Sequence, residues 1–263
     1  MFGFPEAERS GIESHKKHYL KSVIFQVKFK ATDEIDKNKD GITSIFKDQF
    51  PRVNDTKRDG VKVSFGTDKT PIVQSVSQDD FGFELRSADG NNMFSFSKGA
   101  ISLTISGNAY KNYNNIEENI VLLKKVFGLC KITSFSRVAI RKLNIIEFEI
   151  VGESETTPMQ IIEMILNPNL LSSSACLPKP ERIQLNIQTI NYVEENDRLN
   201  LRYGLVVSDA NNKKGQILID IDLFTVGDIP VSSLESLSVK INIEIFNIFN
   251  WAISEEAKEQ LSK

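Results

Sequence analysis

The sequence predicts an α+β fold made of two β-β-β-α halves, a structural duplication with antiparallel sheets each covered by a long helix. Three observations carry this. Short runs of alternating apolar and polar residues come in threes, and hairpin-forming residues separate them. Each group of three then leads into a long segment whose apolar residues recur three and four apart. The sequence leaves open whether the two halves share one continuous sheet.

Residues 1–18 lack a sustained apolar pattern and read as a flexible N-terminal segment. In LKSVIFQVKFKA, Val23, Phe25, Val27 and Phe29 alternate with polar partners, as in a strand with one buried face. The charged stretch 32–41 reads as a loop. In it Asp40-Gly41 turns the chain and Thr43 or Ser44 caps a short helix bearing Ile42, Ile45 and Phe46, ahead of Pro51. Three strands are expected at 81–87, 92–98 and 100–106, joined by the turns ADGN and KG. Ile116, Ile120, Leu123 and Phe127 then mark a helix, with Val121 and Leu122 widening its apolar face and Gly128 near its end. A long strand follows at 135–152.

The short helix in MQIIEMILNP precedes LLSSSACL, the clearest boundary in the chain. The N-terminal half is therefore 19–167, the linker 168–181 and the C-terminal half 182–263. Strands are expected at 182–195, 198–208 and 215–224, with turns END and DANNKK. In the closing segment, 231–254, Val239, Ile241, Ile243 and Ile245 alternate like a strand. Leu234, Leu237, Ile241, Ile245, Ile248 and Ala252 instead keep helical spacing, and the length favours the helix.

Composition narrows the function. The chain is 40% hydrophobic and 25% charged, ordinary values for a globular protein. A net charge of −3 does not supply the positive field of a dedicated nucleic-acid binder. No run of about 18 apolar residues is present to span a membrane. The N-terminus has no apolar core of a secretory signal. With only Cys130 and Cys176, a disulfide framework is not expected, and the cytoplasm is the default compartment.

Certain stretches resemble a sporadically distributed bacterial family of uncharacterised proteins of similar length. They are VIFQVKF followed by Phe50-Pro51, the run FELRSADGNNMFSFSKGAISLTISGNAYKNYNNI with Tyr110 or Tyr113 ahead of the helix, and LIDIDLF before the last helix. The family's Arg-x-x-x-Arg-Tyr-x-Asn signature appears as RVAIRKLN, from Arg137 to Asn144. Lys142 stands where the family has an aromatic residue, and Phe81 lies near a position often held by Trp. The resemblance implies a cytoplasmic prokaryotic protein with patchy inheritance, a pattern associated with defence, antitoxin or immunity loci.

Four groups of residues are candidates for chemistry. Asp36, Asn38, Asp40 and Gly41 follow the spacing of an EF-hand calcium loop, but the closing carboxylate position is Lys47 and the usual apolar position is Thr43. His15 and His18, the two histidines, flank a Lys pair in an apolar-poor segment. Their scarcity removes serine- and cysteine-histidine catalysis and multi-histidine zinc sites. Asp220 and Asp222 share one face of a strand, where they form a weak candidate for a divalent metal or simply the polar side of a sheet, with Arg202 as partner. Arg137 and Arg141 share a strand face, Asn144 points the other way, and Arg86 is expected to join them from an adjacent strand. That set would bind a carboxylate or phosphate, or form an ion-pair ladder with Glu84 or Glu147. Isolated glycines supply no phosphate loop.

The leading expectation is a non-enzymatic cytoplasmic protein-binding module, of antitoxin, immunity or defence type, that needs no cofactor. Its partner is another protein, and homodimerisation is compatible with this reading. The alternatives are a SecB-like holdase chaperone and a divalent-metal-dependent enzyme acting on a nucleotide or phosphate through Asp220 and Asp222.

Overall fold

The computed structural model describes residues 1–7, 19–65, 71–149, 158–171, 185–207 and 214–262. Among the described residues nine strands form one sheet. They are β1 (Leu20–Lys28), β2 (Arg52–Phe65), β3 (Pro71–Arg86), β4 (Asn92–Ser97), β5 (Ala100–Ser106), β6 (Ser134–Glu149), β7 (Leu185–Glu194), β8 (Asp197–Val207) and β9 (Lys214–Pro230). Their spatial order is β2-β3-β4-β5-β1-β6-β9-β8-β7, and every pair is antiparallel.

This order corrects the expectation of two β-β-β-α halves, antiparallel sheets each covered by a long helix: the strands of both halves lie in one continuous sheet. The long strand β6 pairs with β1 along one edge and with β9 along the other, from Ser134–Pro230 to Glu149–Lys214. The strand that ends the N-terminal half is thus the seam that joins it to the C-terminal half. The N-terminal part supplies six strands, because Arg52–Phe65 and Pro71–Arg86 form a hairpin that its charged sequence conceals. The linker expected at 168–181 begins as a single turn of 3-10 helix, Pro168–Leu170, with Leu170 buried. Residues 172–181 lie outside the described residues, as do 8–18 of the expected N-terminal segment.

The helices are α1 (Glu34–Lys37), α2 (Lys39–Phe46), α3 (Asn114–Leu129), α4 (Pro158–Ile165), α5 (Leu234–Ala252) and α6 (Glu255–Ser262). No helix among the described residues is long and apolar enough to cross a membrane. The stretch 32–41, expected as a loop, is largely helical: Asp36 lies in α1, and Asp40 and Gly41 lie inside α2. Burial of Ile35, Ile42 and Phe46 outweighs the turn preference of Asp-Gly. A helix cannot wrap an ion as an EF-hand loop does, and Asp36 instead lies near Lys98, which also pairs with Asp33 at 2.7 Å.

One sheet face carries the core. Val23, Phe25 and Val27 of β1, Phe94 and Phe96 of β4, and Ile217, Ile219, Ile221 and Leu223 of β9 are all essentially without exposure. On the N-terminal side, Phe46 and Phe50 meet Phe94 at 4.6 and 5.0 Å between ring centres. Helix α3 turns Ile116, Ile120, Leu123 and Phe127 inward, while Val121, expected on the apolar face, is half exposed. Helix α5 packs on β6 and β9 through Leu234, Ile241, Ile245, Ile248 and Ala252, so helical spacing prevails over the strand-like alternation of the same segment. The first residues lie along α5: the Phe2 amide donates to Glu244 Oε1 at 2.9 Å, and the Phe4 ring meets Trp251 at 5.1 Å.

Candidate functional site

The register of β6 against β9 brings together two pairs of residues that are far apart in sequence. Arg141 lies opposite Asp222 and Leu143 opposite Asp220, so all the odd-numbered positions from Arg137 to Leu143 share the sheet face that the helices leave open. Each arginine reaches past the residue directly opposite it. Arg137 makes a two-pronged contact with Asp222, Nη2 donating to Oδ1 and Oδ2 at 3.0 and 3.1 Å. Arg141 clamps Asp220 with Nε and Nη2, both at 2.7 Å. From β8, Arg202 brings a guanidinium to 3.9 Å from Asp220, and Asn200 Nδ2 donates to Asp222 at 3.3 Å. The two candidate sites of the sequence are one ladder.

Within the ladder the two arginines differ. Arg137 is sandwiched: its guanidinium carbon sits 4.1 Å from the centre of the Phe224 ring, and it also donates to the Gln26 side chain. Burial lowers its pKa from the ordinary arginine value, against the opposing pull of Asp222. Arg141 is 41% exposed while Asp220 beneath it is 4% exposed. The hydrogen bonds that Arg141 donates to Asp220 hold the Arg141 pKa above the ordinary value, outweighing desolvation. The Arg141 contact, with two nitrogens donating to two oxygens, fixes orientation as well as charge, whereas Arg137 reaches both oxygens of Asp222 through one nitrogen.

Arg86 does not join them. Strands β4, β5 and β1 intervene between β3 and β6, roughly 19 Å at the usual strand spacing. Arg86 pairs instead with Glu84 of its own strand at 2.9 Å. Asn144 does point to the other face, where it is buried and its Nδ2 donates to the Ile219 carbonyl across the β6–β9 pair at 3.1 Å. Glu147, a partner considered for the arginines, bonds Lys21 at 3.1 Å.

A second polar cluster, on the helix-covered face, went unrecognised in the sequence. Lys142 Nζ donates to Asn242 Oδ1 of α5 at 2.8 Å and lies 5.0 Å from the centre of the Tyr110 ring. The Tyr110 hydroxyl donates to the same Asn242 oxygen at 3.4 Å, and the Tyr113 hydroxyl meets the buried Ser238 hydroxyl at 2.7 Å. Burial pushes the pKa of both tyrosines up. The signal available in the sequence was Lys142 itself, an ammonium at an even position of β6 that alternates with the open-face residues and so needs polar partners under α5.

Elsewhere, a cavity of about 300 Å³ is lined by Gln49, Phe50, Asn92, Ile105, Asn115, Glu118 and Asn119, remote in sequence from the arginine ladder. No cluster of three or more His, Cys, Asp or Glu residues suited to a metal occurs among the described residues. Cys130 is buried, and desolvation raises its thiol pKa. His15, His18 and Cys176 lie outside the described residues. The sequence matches no family model and no curated protein.

Proposed function

We infer that the protein is a non-enzymatic binding module that holds another protein against the open face of its sheet. The observation that carries this reading is the engagement of both candidate carboxylates by arginine: Asp222 by Arg137 and Asp220 by Arg141. Carboxylates clamped by guanidinium groups make poor ligands for a divalent cation, because the neighbouring positive charge repels it. What the ladder presents outward is guanidinium. Arg141 and Arg202 are 41% and 47% exposed on either side of Asp220.

The surroundings support the same reading. In register with the ladder, the open face runs through Gln26 and Ser102 to Ser95, and through Ile24 and Thr104 to Met93. A mainly polar field with exposed arginine forks suits the carboxylates of a protein partner. It suits a holdase less, since client capture calls for a broad apolar groove. The resemblance to a sporadically distributed bacterial family adds the proposal that the module belongs to an antitoxin, immunity or defence locus of the cytoplasm.

The test is affinity capture from the native host with the tagged full chain and with Arg141→Glu/Arg202→Glu. We expect one dominant protein, with capture reduced tenfold or more in the variant while its circular dichroism is unchanged. Equal capture by the variant, or a spread of unfolded clients, would overturn the reading. A divalent-ion thermal shift that disappears in Asp220→Asn/Asp222→Asn would favour the metal-dependent enzyme instead.

A further inference from the structure

Exposed apolar side chains concentrate on the terminal strand β7. Leu185, Ile190, Tyr192 and Val193 are 65%, 38%, 46% and 58% exposed. Among the described residues β7 pairs with β8 on one side and with no strand on the other. Edge strands are ordinarily blunted by Lys, Pro or a bulge. The strand β2, at the opposite edge, follows that rule, with Arg52, Lys57, Arg58 and Lys62 in its sequence and a register shift between Lys57 and Asp59. By contrast, β7 reads LNIQTINYVE, without Pro or a basic residue, and its pairing with β8 runs unbroken from Leu185–Val206 to Glu194–Asp197.

We propose that β7 pairs antiparallel with β7 of a second copy about a two-fold axis through Ile190, joining two nine-stranded sheets into one. This surface is the edge of the sheet, so the proposal stands or falls separately from the open-face reading.

Side-chain matching sets the register. Centred on Ile190, the pairing places Ile190 opposite its own copy, Ile187 opposite Val193 and Thr189 opposite Asn191. At these positions apolar side chains meet apolar ones and short polar side chains meet each other, which is the unit of cross-strand stabilisation, while Gln188 lies against the Tyr192 ring. Moving the centre to Thr189 keeps one apolar pair, Leu185 with Val193, but sets Ile187 against Asn191 and Gln188 against Ile190.

Charge agrees with the same centre. Glu194 faces Asn186 of the other copy, and the two Glu194 carboxylates fall at opposite ends of the pairing, roughly 27 Å apart at the usual rise per residue. At that separation their repulsion is screened. Geometry within the chain also helps. The β8 residue opposite Ile187 is Gly204, with φ +138°, and a side chain there would strike the Asn186 carbonyl at 1.9 Å. Glycine thus lets β8 seat β7 closely. A strand pair of this length falls among small interfaces, so dissociation is expected in the micromolar range.

Sedimentation velocity of the full chain across the micromolar range tests this. The wild-type chain should pass from monomer to dimer. Ile190→Lys, which sets two ammonium groups face to face on the axis, should stay monomeric with unchanged circular dichroism. Thr189→Lys should also be monomeric, and Thr189→Lys/Asn191→Glu should restore the dimer, because each Lys then faces a Glu of the other copy. Ile190→Cys should form a disulfide dimer on mild oxidation where the wild type does not. Directly opposed Cα atoms lie about 4.5–5.5 Å apart, within disulfide reach. A wild-type chain that remains monomeric, or a dimer that survives Ile190→Lys, would overturn the proposal.

Discussion

The two faces of β9 differ more from each other than any two strands do. On one side Ile217, Ile219, Ile221 and Leu223 have no exposure and lie in the core under α5. On the other side of the same backbone, Asp220 and Asp222 hold the guanidinium groups of Arg141 and Arg137. The period of two along a strand makes both faces from one run of alternating residues. The difference teaches where stability and availability separate. The apolar face fixes the register, since a slip by one residue would drive two carboxylates under α5. The polar face then receives its ion pairs as a consequence and presents the surplus to solvent.

The largest effect should come from the apolar face. Ile221→Ala removes a fully buried side chain opposite Lys142 and Leu201, in the centre of the sheet. The expected loss is about 2–5 kcal/mol, by transfer and cavity costs together, read from urea unfolding at constant m-value. If Ile221→Ala costs less than a change at Asp220, the division of labour between the faces is wrong.

Asp220→Ala should cost less, about 1–3 kcal/mol. Asp220 itself is 4% exposed, so its pairing takes place with little water around the carboxylate. The two cations it would abandon, Arg141 and Arg202, are 41% and 47% exposed and can turn to solvent, which discounts the loss. The same unfolding measurement applied to Asp220→Asn should fall between wild type and Ala, because the amide keeps the volume and one acceptor. A cost for Asp220→Ala near zero would mean that the ladder contributes to the surface alone.

These comparisons also show what the sequence made legible. The alternation in β1, β5 and β9 and the helical spacing in α3 and α5 are periodic over long enough stretches to be read directly, because burial on one face enforces the pattern. The hairpin of β2 and β3 was missed because Arg52, Asn54, Asp55 and Lys57 put charge or amide at both odd and even positions, and the alternation of Val61, Val63 and Phe65 is too short to mark a strand of this length. Its end was seen only where Phe83 and Leu85 enter the core. Helix α2 was misread because Asn-Lys-Asp-Gly carries strong turn chemistry, while the burial of Ile35 and Phe46 that decides the outcome depends on β4 and α3 packing across from them.

The site was legible in parts and not in its assembly. Sequence placed Arg137 with Arg141 and Asp220 with Asp222, since residues two and four apart on a strand share a face. It could not bring the two pairs together, because strand order in an antiparallel sheet is not sequence order. For the same reason Arg86 was assigned to the wrong neighbourhood: β3 follows β1 and β2 along the chain, yet β4 and β5 lie between β3 and β1 in space.

The smallest effect concerns the polar cluster that interrupts the apolar face. Tyr110 is buried beside Lys142 and Asn242, and desolvation of its anion raises its pKa above the ordinary value of 10.0. The folded chain then keeps the Tyr110 proton at a pH where the unfolded chain has lost it, so folding stability declines as pH rises. The contribution is complete below pH 10, the unfolded value, and is lost progressively above it. Absorbance titration of the native protein should show tyrosine ionisation extending above the ordinary phenol range, and Tyr110→Phe should remove its latest part. Because the hydroxyl donates only one long hydrogen bond, of 3.4 Å to Asn242, Tyr110→Phe should cost no more than about 1 kcal/mol at neutral pH. A larger cost would mean that the Lys142–Asn242–Tyr110 cluster organises the packing of α5 on β6. The boundary between the faces would then be set by polar contacts as much as by apolar ones.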